Sequence, residues 1–341
     1  MCLRLPALVV AFLALWAQAL TADEHEKWEG FRTAAEVKLP FHRFLTDSVV
    51  MIETAGVFGD RAPSEEPDEW VDTGVVAVTE PAGAAQDSRG FQIETCKRAG
   101  LRRCPVMKRS TFGTGFILNG DTLVTCRHGF HNWLAWATRG NGRPLDGVLV
   151  PLRIRNHAGK LIYDSSQAAP ERFVRLAFFN ADLRINRPVD TASSYPTPLI
   201  AFNAKASDYA AFKSPVALTP AHVPRLLRGA DELPAGSEIY LFGYPEENGN
   251  RKKKPARLRK LSGSHGRLLS RIPERGSIRA SNYSNMGMSG GPMLTPEGSI
   301  LGVSCGAFGM EQQLTDPSHV NATGILLDDE HLLDVWSRLK F

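Results

Sequence analysis

Ser289 stands in the stretch SNMGMSGGPML (residues 284–294), with glycines on both sides, a proline close behind it and an apolar run after that. A serine hydroxyl is a weak nucleophile at neutral pH. To attack a carbonyl it needs a base within hydrogen-bond reach and a third group that orients the base. The oxyanion it creates needs N–H donors aimed at it. Glycines beside a nucleophile let the backbone approach a substrate and adopt conformations closed to other residues. In GMSGGP the natural donors are the N–H groups of Gly287 and Ser289. A glycine-rich stretch of this kind also fits an ordinary turn, so the reading depends on the rest of the chain.

A base is offered by FGTGFILNGDTLVTCRHGF, where two apolar runs end at His128. A histidine where a strand ends sits on a rigid element and faces a loop-lined cleft. His131, three residues on, is its competitor, and either one alone reads as a surface turn histidine. The orienting carboxylate is expected in SDYAAFKSP, where Asp208 opens a small apolar run; its rival is Asp182 in NADLRIN. An isolated aspartate is by default a solvated turn residue, and Asp208 gains weight only beside the other two residues.

The elements that must position these groups are short strands. Residues 20–44 are mixed and polar, with a short helix expected in EHEKWEGFRTAAEV. Strand patterns begin at SVVMIETAGVF and GVVAVTE. The segments 60–72 and 80–110 are rich in proline, glycine and charge and read as loops. TGFIL and DTLVTC are joined by NGD, and Asn-Gly is a strong hairpin signal. GVLVPLRIR, KLIYD, RFVRLAFF and DYAAFK continue the series. A proline-rich connection, SPVALTPAHVPRLLRGADELPAG, precedes SEIYLFGYP, ARLRKLSG, HGRLLSRI, GSIRAS, GPMLT and SILGVSCG. In the last residues, 329–341, Leu332, Leu333, Val335, Trp336 and Leu339 recur at helical spacing. Two groups of strands and one terminal helix imply an all-β fold, built as a pair of barrels or sandwiches.

The N-terminus has one arginine before an apolar run of roughly 15 residues that ends in Ala17-Gln18-Ala19, the pattern of a cleaved secretory signal over residues 1–19. The run is short for a membrane span, so an exported protein, secreted or periplasmic, is expected, with no span after signal removal. Residues 20–44 would then be a leader or a pro-segment. Export permits disulfides. Cys96 and Cys104 would close a small loop in ETCKRAGLRRCPV, whereas Cys126 and Cys305, in strand-like runs, either pair or are small buried residues. The run RKKKPARLRK (251–260) reads as a solvated loop tip, with a patch for polyanions as the sharper alternative. A net charge of +4 is too weak to argue for nucleic acid. Neither HExxH nor a zinc-spaced Cys/His cluster occurs, and no metal or cofactor is expected. Asn282 and Asn321 open N-x-S/T sequons; a glycan on Asn282 would obstruct a substrate.

TGFIL…LVTCRHG, DYAAFK and GMSGGP, in that order, resemble the His, Asp and Ser motifs of the trypsin-like (chymotrypsin-fold) serine peptidases, and GSEIYLFGYP and SILGVSCG resemble that family's later strands. The resemblance spans roughly 45–341. It implies two six-stranded antiparallel β-barrels, at about 45–213 and 237–328, followed by the C-terminal helix at 329–341, with the triad in the cleft between the barrels. It implies that His128 is the general base, Asp208 orients it, Ser289 attacks, and Gly287 and Ser289 supply the oxyanion hole. By the same resemblance Tyr283, Ser284, Ser304, Cys305 and Gly306 contact the substrate. His128 and Asp208 lie 80 residues apart. That is long for the family and implies an insertion within 132–200. Met288 stands where digestive members carry the aspartate that pairs with a new N-terminus, so activation by that route is not expected. Tyr283 stands where an aspartate would select basic side chains, and a cysteine replaces the usual tryptophan at 305. These departures look more like bacterial-type and HtrA-like protease domains. The expectation is a monomeric exported endopeptidase acting on proteins or peptides, the alternative a silent protease-fold binding module.

Overall fold

The computed structural model describes residues 31–55, 69–74, 88–100, 102–107, 110–118, 122–130, 148–149, 151–169, 172, 175–176, 199–202, 210–216, 233–246, 259–272, 277–308 and 321–326. In chain order they form β1 (Arg32–Thr33), α1 (His42–Ser48), β2 (Val49–Ala55), β3 (Glu69–Asp72), α2 (Ser88–Arg98), β4 (Arg103–Val106), β5 (Ser110–Leu118) and β6 (Thr122–Thr125). There follow β7 (Val148–Leu149), β8 (Leu152–Arg155), β9 (Leu161–Asp164), β10 (Arg175–Leu176), β11 (Leu199–Phe202) and β12 (Ala210–Lys213). The last group is β13 (Glu238–Gly243), β14 (Ser262–Ile272), β15 (Ser277–Ala280), β16 (Pro292–Leu294), β17 (Ile300–Phe308) and β18 (Asn321–Leu326). Short 3-10 turns occupy Ala34–Glu36 and Arg127–Phe130.

Two large sheets result. The first has nine strands in the order β7-β10-β11-β12-β6-β5-β2-β8-β9, and the second has seven, β1-β14-β13-β16-β17-β18-β15. In the second, β14 also pairs with β15, so six strands pair in a cycle and β1 joins from outside it. The first sheet follows an open order and includes one parallel pair, β10 with β11. The expected pair of six-stranded barrels is thus corrected to a mostly antiparallel β fold with a nine-stranded first sheet. Four of the nine strands, β7, β8, β9 and β10, lie within 132–200, where an insertion was expected. The β8–β9 pair extends the sheet along the edge of β2. The expected C-terminal helix at 329–341 and the signal segment 1–19 lie outside the described residues. Among the described residues no helix is long and apolar enough to cross a membrane.

The core is shared between the sheets. In a strand, successive side chains point to opposite faces. Along β13 and just after it, Tyr240, Phe242 and Tyr244 enter a cluster with Val49, Met51, Phe116 and Val124 of the first sheet. Ile239 and Leu241 point the other way, into a cluster with Leu268, Ile278, Met288, Met293 and Leu301. Burial on both faces explains why SEIYLFGYP reads as an unbroken apolar run.

The N-terminal segment belongs to this core. Phe41, Phe44 and Leu45 are buried in the shared cluster, Phe41 makes edge-on ring contacts with Tyr240 and Phe242, and β1 pairs with β14. The helix expected over 24–37 is, within the described residues, the single turn Ala34–Glu36.

Loops expected over 80–110 hold a helix instead. In α2, Gln92 is fully buried; its Nε2 donates to Met107 O at 2.8 Å and its Oε1 accepts from Met107 N–H at 2.8 Å. The Cys96–Cys104 disulfide ties the helix to β4. These long-range ties, and a small cluster of Val71, Ile93 and Val106, outweigh a local pattern in which charges interrupt the apolar residues.

Candidate functional site

Ser289 lies in the turn between Asn285 and Pro292, and that turn is anchored to both sheets. On the side of the second sheet, Gly290 N–H donates to Ser304 O at 2.6 Å and Ser304 N–H to Gly291 O at 2.9 Å. The first sheet holds it from the other side. Thr114 N–H of β5 donates to Ser289 O at 2.8 Å, Thr114 Oγ1 donates to Gly287 O at 2.7 Å, and Tyr244 N–H in turn donates to Thr114 Oγ1 at 3.0 Å. Gly290, at φ 88°, packs so closely that a Cβ there would collide with Thr114 O and Thr125 Oγ1 and lie 3.0 Å from Cys126 N. The turn therefore rests on the last residues of β6, with His128 two positions beyond Cys126.

His128 sits in the Arg127–Phe130 turn, half-buried. Thr54 Oγ1 of β2 donates to Gly129 O at 2.7 Å and fixes that turn to the sheet. The imidazole Nε2 lies 3.5 Å from Cys126 Sγ. Ser289 Oγ makes no hydrogen bond among the described residues. Asp208 and its rival Asp182 lie outside the described residues, as does His131. What is described of that region is β12, which begins two residues after Asp208 and pairs with β6 in register, Ala210 opposite Thr125.

Two peptide groups in the turn are oriented by their carbonyls. Met286 O accepts the Glu246 N–H at 2.7 Å, and Met288 O accepts the Gly291 N–H at 2.9 Å. In a planar trans peptide the N–H points opposite to the C=O. The N–H groups of Gly287 and Ser289 therefore face away from these partners, and among the described residues neither has an acceptor. Gly287 holds φ 92°, a conformation that disfavours any side chain. Two uncommitted N–H donors beside a serine hydroxyl can bind an anionic oxygen bonded to that serine's substrate where they point to a common site.

Met288 is fully buried among Ile239, Leu241 and Met293. The side chain before Ser289 is thus anchored by apolar packing.

The expected substrate positions are placed unequally. Tyr283 is half-buried, with its ring edge-on to Phe31 at 6.2 Å. Ser284 is buried. Ser304 is fully buried, its two backbone groups bonded to the turn, and its Oγ has no partner among the described residues. Cys305 is the extra residue of an irregularity in the β17–β18 register, between Ser304↔Gly324 and Gly306↔Thr323. Such bulges re-aim side chains, and here Cys305 packs against the shared core. Gly306 is half-buried on the same strand. Cys126 and Cys305 are not bridged to each other, so of the two alternatives the disulfide is ruled out.

The Asn282 side chain is fully buried, its Nδ2 donating to Ile239 O and to Ser264 O, both at 2.9 Å. Both amide hydrogens are engaged, so this packing leaves no room for a glycan. Among the described residues no group of three or more His, Cys, Asp or Glu could hold a metal ion.

Arg259 is a member of the site that the sequence reading left among solvated basic residues. Its guanidinium Nη1 lies 2.6 Å from where a Cβ on Gly287 would stand.

The family described as trypsin-like peptidase domain matches residues 113–303, more than half of the chain. None of the curated proteins compared with the chain matches it. Among solved structures the chain is similar to the Rv3671c protease from M. tuberculosis in its active form, at 13% identity, with 90% of this chain and 86% of that chain covered and a TM-score of 0.43. It is similar also to the HtrA-type protease AlgW with a decapeptide, at 13% identity, with 87% of this chain and 66% of that chain covered and a TM-score of 0.42.

Proposed function

The chain belongs to the family of trypsin-like peptidase domains, and on that premise we propose that it is an exported serine endopeptidase that hydrolyses peptide bonds through Ser289, His128 and Asp208. In this reading Ser289 Oγ attacks the scissile carbonyl while the His128 imidazole takes its proton. The tetrahedral oxyanion lies between the Gly287 and Ser289 N–H groups. Protonated His128 then gives the proton to the leaving amine, and a water activated by the same imidazole releases the acyl group from Ser289. Asp208 holds the imidazole and stabilises its charged form.

One observation carries the reading: the turn 285–291 is docked on Thr114, Thr125 and Cys126 with two N–H donors uncommitted. A scaffold that kept this turn for structure alone would have no use for leaving them unpaired. The domain would run from about 45 to 341, with the buried residues of 31–44 retained alongside it. The apolar Met288 and the aromatic Tyr283 support a bacterial-type, HtrA-like enzyme without preference for Arg or Lys.

The silent-module alternative is favoured by one fact, that His128 Nε2 lies against Cys126 Sγ and Ser289 Oγ is without a hydrogen bond among the described residues. Catalytic hydrogen bonds are often loose before substrate arrives, so substrate hydrolysis decides. On a peptide library the wild-type protein should cleave and Ser289→Ala should not. His128→Ala should abolish cleavage while His131→Ala spares it, and Asp208→Asn should cost on the order of 10⁴ in kcat while Asp182→Asn costs little. A wild-type protein inert on every peptide would leave the binding module standing.

A further inference from the structure

We propose that Arg259 is a positioning residue for the oxyanion turn. Its buried guanidinium clamps the segment Tyr244–Glu246 against Asn285–Gly287, and so keeps the Gly287 N–H aimed into the cleft. The inference rests on the hydrolytic reading above and deepens it.

The clamp is built from two short chain segments. Glu246 N–H donates to Met286 O at 2.7 Å, and Asn285 Nδ2 donates to Glu246 O at 2.5 Å. The first of these bonds sets which way the Met286–Gly287 peptide faces. If it breaks, the peptide is free to rotate and turn its carbonyl, in place of its N–H, toward the cleft.

Arg259 touches both sides of this clamp. Its Nη1 lies 3.5 Å from Tyr244 O, and Nη2 lies 3.9 Å from Glu246 Oε1. The Gly287 main chain closes over the same nitrogen, Nη1. The guanidinium also stacks over the Phe112 ring of β5 at 4.9 Å, which ties the clamp to the first sheet. The side chain is only 8% exposed, so the reading of 251–260 as a uniformly solvated tip does not extend to this residue. Burial lowers the Arg259 pKa from its ordinary value, with Glu246 opposing; a guanidinium remains charged at neutral pH. A planar fork directs separate nitrogens at Tyr244 O and Glu246, whereas an ammonium is a single point charge without that fixed geometry.

The test compares wild type, Arg259→Lys and Arg259→Met, the last keeping an apolar stem without charge. Wild-type hydrolysis and fluorophosphonate labelling are established first; failure there overturns the hydrolytic reading. In an active enzyme, Arg259→Met should lower kcat by roughly 10- to 100-fold, less than outright loss of an oxyanion donor, with KM little changed. Its affinity for a peptide trifluoromethyl ketone, which forms a tetrahedral oxyanion on serine, should fall by the same factor as kcat/KM. Arg259→Lys should recover part of the loss. A crystal structure of Arg259→Met reads the turn whether or not the protein is active, and should show the Glu246 N–Met286 O bond broken. An unchanged turn, or unchanged kcat in a folded Arg259→Met, overturns the proposal.

Discussion

Gly287 is held at φ 92° with its Cα pressed toward Tyr244 O and Arg259, and it shows how much of a site can depend on one hydrogen atom in place of a side chain. Gly287→Ala would drive a Cβ into Tyr244 O and disfavour the backbone conformation that presents the N–H. The expected result is a fall in kcat of about 10²-fold with KM nearly unchanged, the loss typical of a missing oxyanion donor, measured by steady-state hydrolysis. The motif around Ser289 was legible because its residues are contiguous, and a turn's chemistry is written in neighbouring positions. Arg259 was not legible in that way. Its neighbours 251–254 and 260 are basic, and only the tertiary packing of Phe112, Tyr244 and Gly287 around it distinguishes a buried guanidinium from a solvated one. Asn282 is a similar case, since a sequon says nothing of whether its amide is already bonded to Ile239 and Ser264.

At the scale of elements, the strands were more legible than the helices. β5 and β6 follow the Asn-Gly signal, pairing from Gly115↔Thr125 to Leu118↔Thr122, and β13 to β17 each overlap an expected strand, although β14 joins the ends of two stretches, ARLRKLSG and HGRLLSRI, that read as separate strands. In α2, by contrast, apolar residues are spread among charges. It is held by the Cys96–Cys104 disulfide and by Gln92 bonding to Met107, neither of which has a local signature. α1 also escaped notice, because its seven residues join directly to β2 and its Phe44 and Leu45 serve the shared core. The segment 31–48 is a wedge between the sheets: Phe41 contacts Tyr240 and Phe242 and lies beneath Gly298 of the β16–β17 connection. Phe41→Ala should therefore destabilise the fold by about 3–5 kcal/mol, read as a lowered denaturation midpoint. A removable pro-segment would predict little change. The Phe31 ring against Tyr283 extends the same segment toward the expected substrate pocket.

Across the whole molecule, the two sheets are joined by polar as well as apolar contacts. Tyr244 OH donates to Val49 O at 3.1 Å inside the core, and burial raises its pKa above the ordinary tyrosine value. Burial does the same, as the leading cause, for Tyr163 and Tyr240. The folded state thus holds these phenols protonated, while the unfolded chain releases their protons near pH 10. Stability from this source is fully present below about pH 10 and declines as pH rises through the raised folded values. Denaturant midpoints should therefore fall steeply above about pH 10, and Tyr244→Phe should soften that fall. At pH 7 the same substitution should cost about 1 kcal/mol for the lost hydrogen bond. The open nine-stranded order of the first sheet was not legible, because register and edge partners are set by long-range pairing, as in the parallel contact of Arg175 with Leu199. The central expectation at this scale is that the two-sheet frame makes Ser289 a nucleophile. Its most direct test is to react the folded protein with a fluorophosphonate and locate the adduct by peptide mapping. A single adduct is expected on Ser289, absent from Ser289→Ala and suppressed by His128→Ala. An unlabelled wild-type protein, or labelling that persists in Ser289→Ala, would contradict it.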